Sequence, residues 1–259
     1  MIGSALLPAR TAAFVGLTFG MYGMLEVDTA LSAREEREVV LAKWIARYGR
    51  ALLGLYGVDL RAGGPYAGEG QSYPGRGAGG HGRVFVFNHR SGLDVPVTLA
   101  LFDATIVSRA DLADWPVIGM AARRVGTLFV DRESRSSGAT VVHSMVRAIE
   151  GGRSVMIYPE GTTFAGDEVR PFRLGAFRTA LRSGSEVVPA GIAYGDRAEF
   201  TESSFMVHMK RVSERPRTRV AVEVGEPITP LKGESAEALR ERAQEAVQAL
   251  VHRARARLG

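Results

Sequence analysis

The chain has 259 residues, 46% of them hydrophobic, a formal net charge of +5 and a pI near 9.8. That is enough apolar material for one large core, and a second domain would need a clear linker. With no cysteine, disulfides, thiolate nucleophiles and cysteine-ligated zinc or iron–sulfur centres are excluded, while the basic balance fits a negatively charged partner such as nucleic acid, an anionic membrane or a phosphorylated substrate.

Residues 11–25 (TAAFVGLTFGMYGML) form an apolar run that follows Arg10 and stops at Glu26. It is short of the roughly 20 residues that span a bilayer. A membrane-associated helix is the first reading, a buried core helix the second and a cleaved signal the last, since no A-x-A site follows. Residues 39–58 place Val40, Leu41, Trp44, Ile45, Tyr48, Leu52, Leu55 and Tyr56 on one helical stripe, with Lys43, Arg47 and Arg50 off it. Such a helix suits a membrane interface or the protein's own core equally well. Two apolar helices in succession favour the membrane.

The Gly/Pro-rich stretch from 61 to 83 reads as a loop. It contains GRGAGG, formally G-x-G-x-x-G at Gly75, Gly77 and Gly80. This is not a dinucleotide site, because the fingerprint must follow a strand and open a helix, and here it precedes a strand. His81 in this run reads as a solvated loop residue.

From residue 84 strands and helices alternate. Strands are predicted at 84–87, 104–107, 127–130, 154–158, 186–193, 205–212 and 219–224. Helices are predicted at 95–102, 112–123, 137–150, 174–182 and 235–258. The alternation predicts a single α/β domain with a central mixed, largely parallel sheet flanked by helices. The chain then divides into N-terminal membrane-associated helices (1–60), a Gly-rich loop (61–83) and a catalytic domain (84–259).

The segment NHRSGLDVP, residues 88–96, puts His89 at the carboxyl end of the first of these strands, where open α/β sheets hold ligands. Asp94 follows at the entry of a helix. Either it only caps that helix, or it folds back on His89, fixes the imidazole tautomer and leaves the other ring nitrogen as a base. Two further strands end at the same edge. One ends in GTLFVDR (126–132) and delivers Arg132, whose planar fork suits a phosphate. The other ends in YPEGTTF (158–164), where Gly161 permits an unusual turn. The strand VVPAGIAY (187–194) suits a pocket wall.

These four segments, in this order, resemble the blocks of the PlsC-like glycerolipid acyltransferases: N-H-x-x-x-x-D, G-x-x-F-[IV]-x-R, F-P-E-G-T-R and V-P-[VA]. The resemblance covers about residues 84–228. It implies that His89 is the general base toward an acceptor hydroxyl and that Asp94 orients it. It implies direct attack on an acyl thioester, with acyl-CoA or acyl carrier protein as co-substrate and no bound cofactor or metal. It also implies that Arg132 holds the acceptor's phosphate, with Glu160, Gly161 and Thr162 shaping the acceptor site. Arg109 lies where the family often has lysine, and Arg173 lies in PFRLGAF, similar to P-F-[KR]-[KR]-G-[AV]-F. The expected product is phosphatidic acid from 1-acylglycerol-3-phosphate, made at the cytoplasmic face of a membrane. Membrane lipids and the lysolipid are the expected partners, and acyl carrier protein is a further candidate.

Two departures stand against that acceptor: Thr163 replaces the family's arginine and Leu174 replaces its second basic residue. They fit a lysophospholipid with a larger headgroup or a lyso-ornithine lipid. A non-catalytic lipid-binding module is the alternative of another class. A hydrolase is disfavoured because no G-x-S-x-G elbow is present. Nucleic acid binding ranks last, since the basic residues are scattered and no known module occurs. His143 and His208 fall outside every block and read as helix and strand surface residues.

Overall fold

The run Val84-Phe85-Val86-Phe87 is the strand around which the sheet is organised. All four side chains are fully buried. Val84 and Val86 pack on one layer of helices with Met145, Ile149, Phe177 and Leu239. Phe85 and Phe87 pack on the other with Leu52, Leu93, Val97 and Phe102. A strand covered on both faces loses polar alternation and becomes a continuous apolar run. Each such aromatic side chain contributes roughly 1.5–3 kcal/mol through burial.

The computed structural model describes residues 2–65, 73, 75–77, 80–130, 137–195, 198–202 and 204–259. Its strands are β1 (Val58–Gly63), β2 (Val84–Phe87), β3 (Thr105–Arg109), β4 (Leu128–Val130), β5 (Val155–Ile157), β6 (Val187–Tyr194) and β7 (Thr218–Val224). The helices are α1 (Ile2–Leu31), α2 (Arg37–Leu55), α3 (Asp94–Leu101), α4 (Ile118–Arg124), α5 (Ser137–Glu150), α6 (Gly175–Ser183), α7 (Phe205–Ser213) and α8 (Ala236–Ala256). The spatial order is β1-β7-β6-β2-β5-β3-β4. Every neighbouring pair is parallel except β6 with β7. The carboxyl ends of β2 and β5 therefore lie side by side.

Three elements differ from the sequence expectation. Residues 205–212 are helical, not a strand. Phe205, His208, Met209 and Val212 lie at helical spacing; reading His208 as solvated hid that stripe. The seventh strand is instead β1, which spans the boundary between the first two sequence segments and pairs with β7. Its period-two run Val58-Asp59-Leu60-Arg61 falls across the end of the helix read to residue 58 and the start of the loop read from residue 61. Gly57 separates the two, at φ +65 and so close to Pro216 that a Cβ would lie 2.2 Å from its carbonyl oxygen. The helix expected over 112–123 is split by Trp115-Pro116 into a short 3₁₀ turn (Ala110–Asp114) and α4, because proline cannot continue the hydrogen-bond ladder.

The N-terminal helices behave differently from each other. The stripe of α2 is turned inward, with Trp44, Leu52 and Leu53 buried, so it is not free for a membrane interface. Gly49 lets α2 press onto α3, since a Cβ there would lie 2.6 Å from the Ala100 nitrogen. By contrast, α1 continues beyond the apolar run to Leu31 because its charges find partners: Asp28 accepts from the Trp44 indole N–H at 2.8 Å, and Glu26 pairs with Arg124. Arg10 is buried and donates to the carbonyl of Ser213 at 3.0 Å and to that of Arg215. A cation is favourable at the carboxyl end of α7, and this one ties α1 to the catalytic body. Among the described residues no helix is long and apolar enough to cross a membrane.

Candidate active site

β2 ends at Phe87, and Asn88 extends its grip on β6 with a side chain. The fully buried Asn88 amide donates to the Ile192 carbonyl at 2.8 Å and accepts from the Ile192 N–H at 2.7 Å. This side chain imitates one more residue of ladder and fixes where the next residue, His89, leaves the sheet.

The His89 backbone N–H donates to Glu160 Oε2 at 2.6 Å, and its carbonyl accepts from the Phe164 N–H at 3.0 Å. The ring stacks on Tyr158 with centroids 4.3 Å apart and planes 18° apart. Nδ1 lies 2.6 Å from Asp94 Oδ2, and the side chain stays 21% exposed, so a reactant can reach the ring. Nδ1 is committed to a carboxylate and therefore carries the proton. Nε2 is left as the basic nitrogen of the neutral ring.

Asp94 is fully buried at the first position of α3. Oδ2 also accepts from the N–H groups of Arg90 at 2.7 Å and Ser91 at 2.9 Å, and Oδ1 accepts from the Tyr194 hydroxyl at 2.6 Å. Its side-chain partners are the upstream turn and Tyr194 on β6, not the N–H groups of the helix it begins. Burial first, and then the Asp94 charge, push the Tyr158 and Tyr194 phenols well above their ordinary value. Tyr194 therefore keeps the proton it donates. A buried carboxylate is tolerated only with such compensation.

Glu160 and Arg90 hold this turn from below. Glu160 Oε2 accepts from Arg90 at 2.8 Å as well as from the His89 N–H, and Oε1 accepts from the Arg170 N–H at 2.8 Å. Arg90 is the largest fully buried side chain among the described residues. It donates further to the carbonyls of His89, Gly166 and Glu168. Glu160 thus acts on the site through the His89 backbone. Gly161 adopts φ +81, and a Cβ there would lie 2.6 Å from the Arg173 guanidinium. The residue must be glycine, and Arg173 lies over the turn. Thr162 is exposed beside it.

Arg109 stands apart, at the end of β3. Its exposed guanidinium forks onto Asp111 at 2.9 and 3.0 Å. Arg132 lies outside the described residues. His143 is exposed on α5, but His208 is not a surface residue. It is fully buried on α7, and its Nε2 accepts from the Gly92 N–H at 3.0 Å. Asn88, Arg90, Tyr158, Tyr194 and His208 were not singled out by sequence reading. For Asn88 the available signal was its place directly after the buried run VFVF, since a polar residue at the end of a buried strand needs partners.

Breaking one half of a buried ion pair leaves the other charge unmatched. Glu160→Gln is expected to lower the free energy of unfolding by about 3 kcal/mol or more, read from the urea midpoint. A midpoint equal to wild type would show that Arg90 does not depend on Glu160.

Residues 69–193 match the acyltransferase family. The chain is 33% identical over 172 residues to a lyso-ornithine lipid O-acyltransferase of Pseudomonas aeruginosa, covering 64% of this chain and 66% of that protein. It is 24% identical over 214 residues to a 1-acyl-sn-glycerol-3-phosphate acyltransferase of Neisseria meningitidis, covering 80% of each. The crystal structure of the 1-acyl-sn-glycerophosphate acyltransferase PlsC of Thermotoga maritima shares the fold, with a TM-score of 0.68 at 21% identity over 94% of this chain and 97% of that one. With the His89–Asp94 pair at the carboxyl edge of the same sheet, the chain belongs to the PlsC-like family of acyltransferases.

Proposed function

We propose that the protein moves a fatty acyl group from a thioester, on CoA or acyl carrier protein, to the free hydroxyl of a lysolipid. The observation that carries this reading is the 2.6 Å contact between His89 Nδ1 and Asp94 Oδ2. It leaves Nε2 as the base at an exposed edge. Nε2 takes the hydroxyl proton as the acceptor oxygen attacks the thioester carbonyl carbon. The tetrahedral intermediate collapses, the C–S bond breaks, and the thiolate leaves with the proton held by the imidazolium. An ester and a free thiol result. Asp94 steadies the charge on the ring while the proton is in transit.

The acceptor we favour is a lyso-ornithine lipid. A bare phosphomonoester needs several cations, and here Thr163 and Leu174 stand where the family carries basic residues. Arg173 remains, lying over Gly161. The similarity to the Pseudomonas aeruginosa protein points the same way. Lysophosphatidate is the second reading, supported by the Neisseria meningitidis relative, which is matched over more of its length.

The membrane contact falls to α1. Val15, Phe19, Val27 and Leu31 are exposed along it, four, eight and four residues apart with Gly23 in the gap, and such a stripe lies in an interface without spanning it. Both substrates carry acyl chains, so the lipid surface supplies them. We place this contact at the cytoplasmic face, where acyl thioesters are available.

Three outcomes follow. His89→Ala is expected to reduce thiol release in the presence of lysolipid by about 10²–10⁴-fold; full activity would remove His89 from the mechanism. Thr163→Arg should raise kcat/KM for lysophosphatidate relative to lyso-ornithine lipid in an acceptor panel, and an unchanged ratio would remove residue 163 from acceptor choice. The double variant Phe19→Glu/Val27→Glu should lose co-sedimentation with phosphatidylglycerol-containing vesicles while keeping its fold, and undiminished binding would move the membrane contact elsewhere.

A further inference from the structure

Three consecutive N–H groups leave the catalytic turn, and they end on two different side chains. Those of Arg90 and Ser91 reach Asp94, while that of Gly92 reaches His208 Nε2 at 3.0 Å. The Ser91 hydroxyl lies 3.1 Å from the same nitrogen. A backbone N–H can only donate, so Nε2 must be bare, and the ring's proton sits on Nδ1, 3.3 Å from Glu202 Oε2. The Ser91 hydroxyl then donates to Nε2 and accepts in turn from the Leu93 N–H at 3.2 Å.

The ring is fixed on its other side. It stacks on Phe200 with centroids 4.6 Å apart and planes 13° apart, and the Phe200 N–H donates to the Arg90 carbonyl at 2.6 Å. Phe200 and His208 therefore grip the turn at Arg90 and Gly92 respectively. Gly92 has no room for a side chain: a Cβ would lie 2.9 Å from both Met209 Sδ and Phe205 Cε2. The charged groups facing the imidazole are Glu202, Arg211 and Asp94. Burial, aided by Arg211, lowers its affinity for a second proton against the pull of Glu202 and Asp94. The neutral acceptor form is thus the one the fold selects. Being fully buried, His208 does not touch a reactant.

We infer that His208 is a positioning residue for acyl transfer, whose bare Nε2 holds the Gly92 N–H and the Ser91 hydroxyl and so sets the turn that seats His89 against Asp94. The inference rests on the proposed reaction. It assigns His208 a role as a hydrogen-bond acceptor, which is separable from its role as a packed ring. Glutamine can present Oε1 where Nε2 stands; leucine fills the space without an acceptor and leaves the Gly92 N–H buried and unpaired.

The test compares wild type, His208→Gln and His208→Leu, with kcat and KM for the acyl thioester and hydrogen exchange at the Gly92 amide. Misplacing a reacting group by about 1 Å can lower a rate by about 100-fold. His208→Leu is therefore expected to lose kcat on that order with KM little changed, and to lose protection at Gly92. His208→Gln should recover most of both. A folded His208→Leu with wild-type kcat, or a His208→Gln as impaired as His208→Leu, would overturn the inference. Should His208→Leu not fold, His208→Gln alone decides, since low kcat with an unprotected Gly92 amide would overturn it and near-wild-type values would support it. The exchange readout needs no turnover, so a wild type inactive on every lysolipid counts against the proposed reaction, not against the hydrogen bond.

Discussion

One buried carboxylate organises the site. Asp94 has no exposure and takes four donors: the His89 ring, two backbone N–H groups and the Tyr194 hydroxyl. An unmatched charge in a protein interior is worth several kcal/mol against folding, so each donor must be in place for the chain to fold around it. The same requirement that stabilises the carboxylate forces the histidine into one tautomer and one orientation. Stability and the proposed proton transfer share a single geometric demand here. The usual tension between helix capping and proton transfer does not arise, because Asp94 gathers groups from the turn before its helix.

The surrounding structure can be understood as support for that arrangement. The Asn88 side chain prolongs the pairing of β2 with β6, the Arg90–Glu160 pair anchors the backbone on either side of the His89 ring, and α2 presses on α3, which begins at Asp94. Tyr158 lies under the imidazole and is itself held by Thr98 on α3 at 2.9 Å. These contacts come from four parts of the chain, so the partly exposed ring of His89 sits on a floor that has little freedom to move. Rigid support of this kind is what the proposed general base needs to stay at its attack distance.

Much of this could be read from residue order. The parallel core was visible because strands buried on both faces become apolar runs such as VFVF and VVPAGIAY, and His89 and Asp94 stood out as polar residues at the end of one of them. What escaped was of two kinds. Short-period signals were overridden by their neighbours: Val58-Asp59-Leu60-Arg61 was divided between the helix before it and the loop after it, and the stripe of α7 was concealed by a histidine taken for a surface residue. The other kind was buried polar support. Nothing local distinguishes Arg90 or His208 from a surface residue, since their partners lie 70 and 116 positions away. Arg132, which follows β4, lies outside the described residues, so the expected acceptor side of the site rests on sequence pattern while the His89–Asp94 pair rests on geometry.

The account turns on the protonation pattern of one ring. Imidazole ¹⁵N chemical shifts of His89, recorded on the full-length protein at about pH 8, above the ordinary histidine range, report it directly. Assignment follows from the signal lost in His89→Ala. The account predicts a proton on Nδ1, shifted by its bond to Asp94, and a bare Nε2. A neutral ring with its proton on Nε2 and a bare Nδ1 would contradict it, because the nitrogen facing the substrate edge would then be unable to accept a proton.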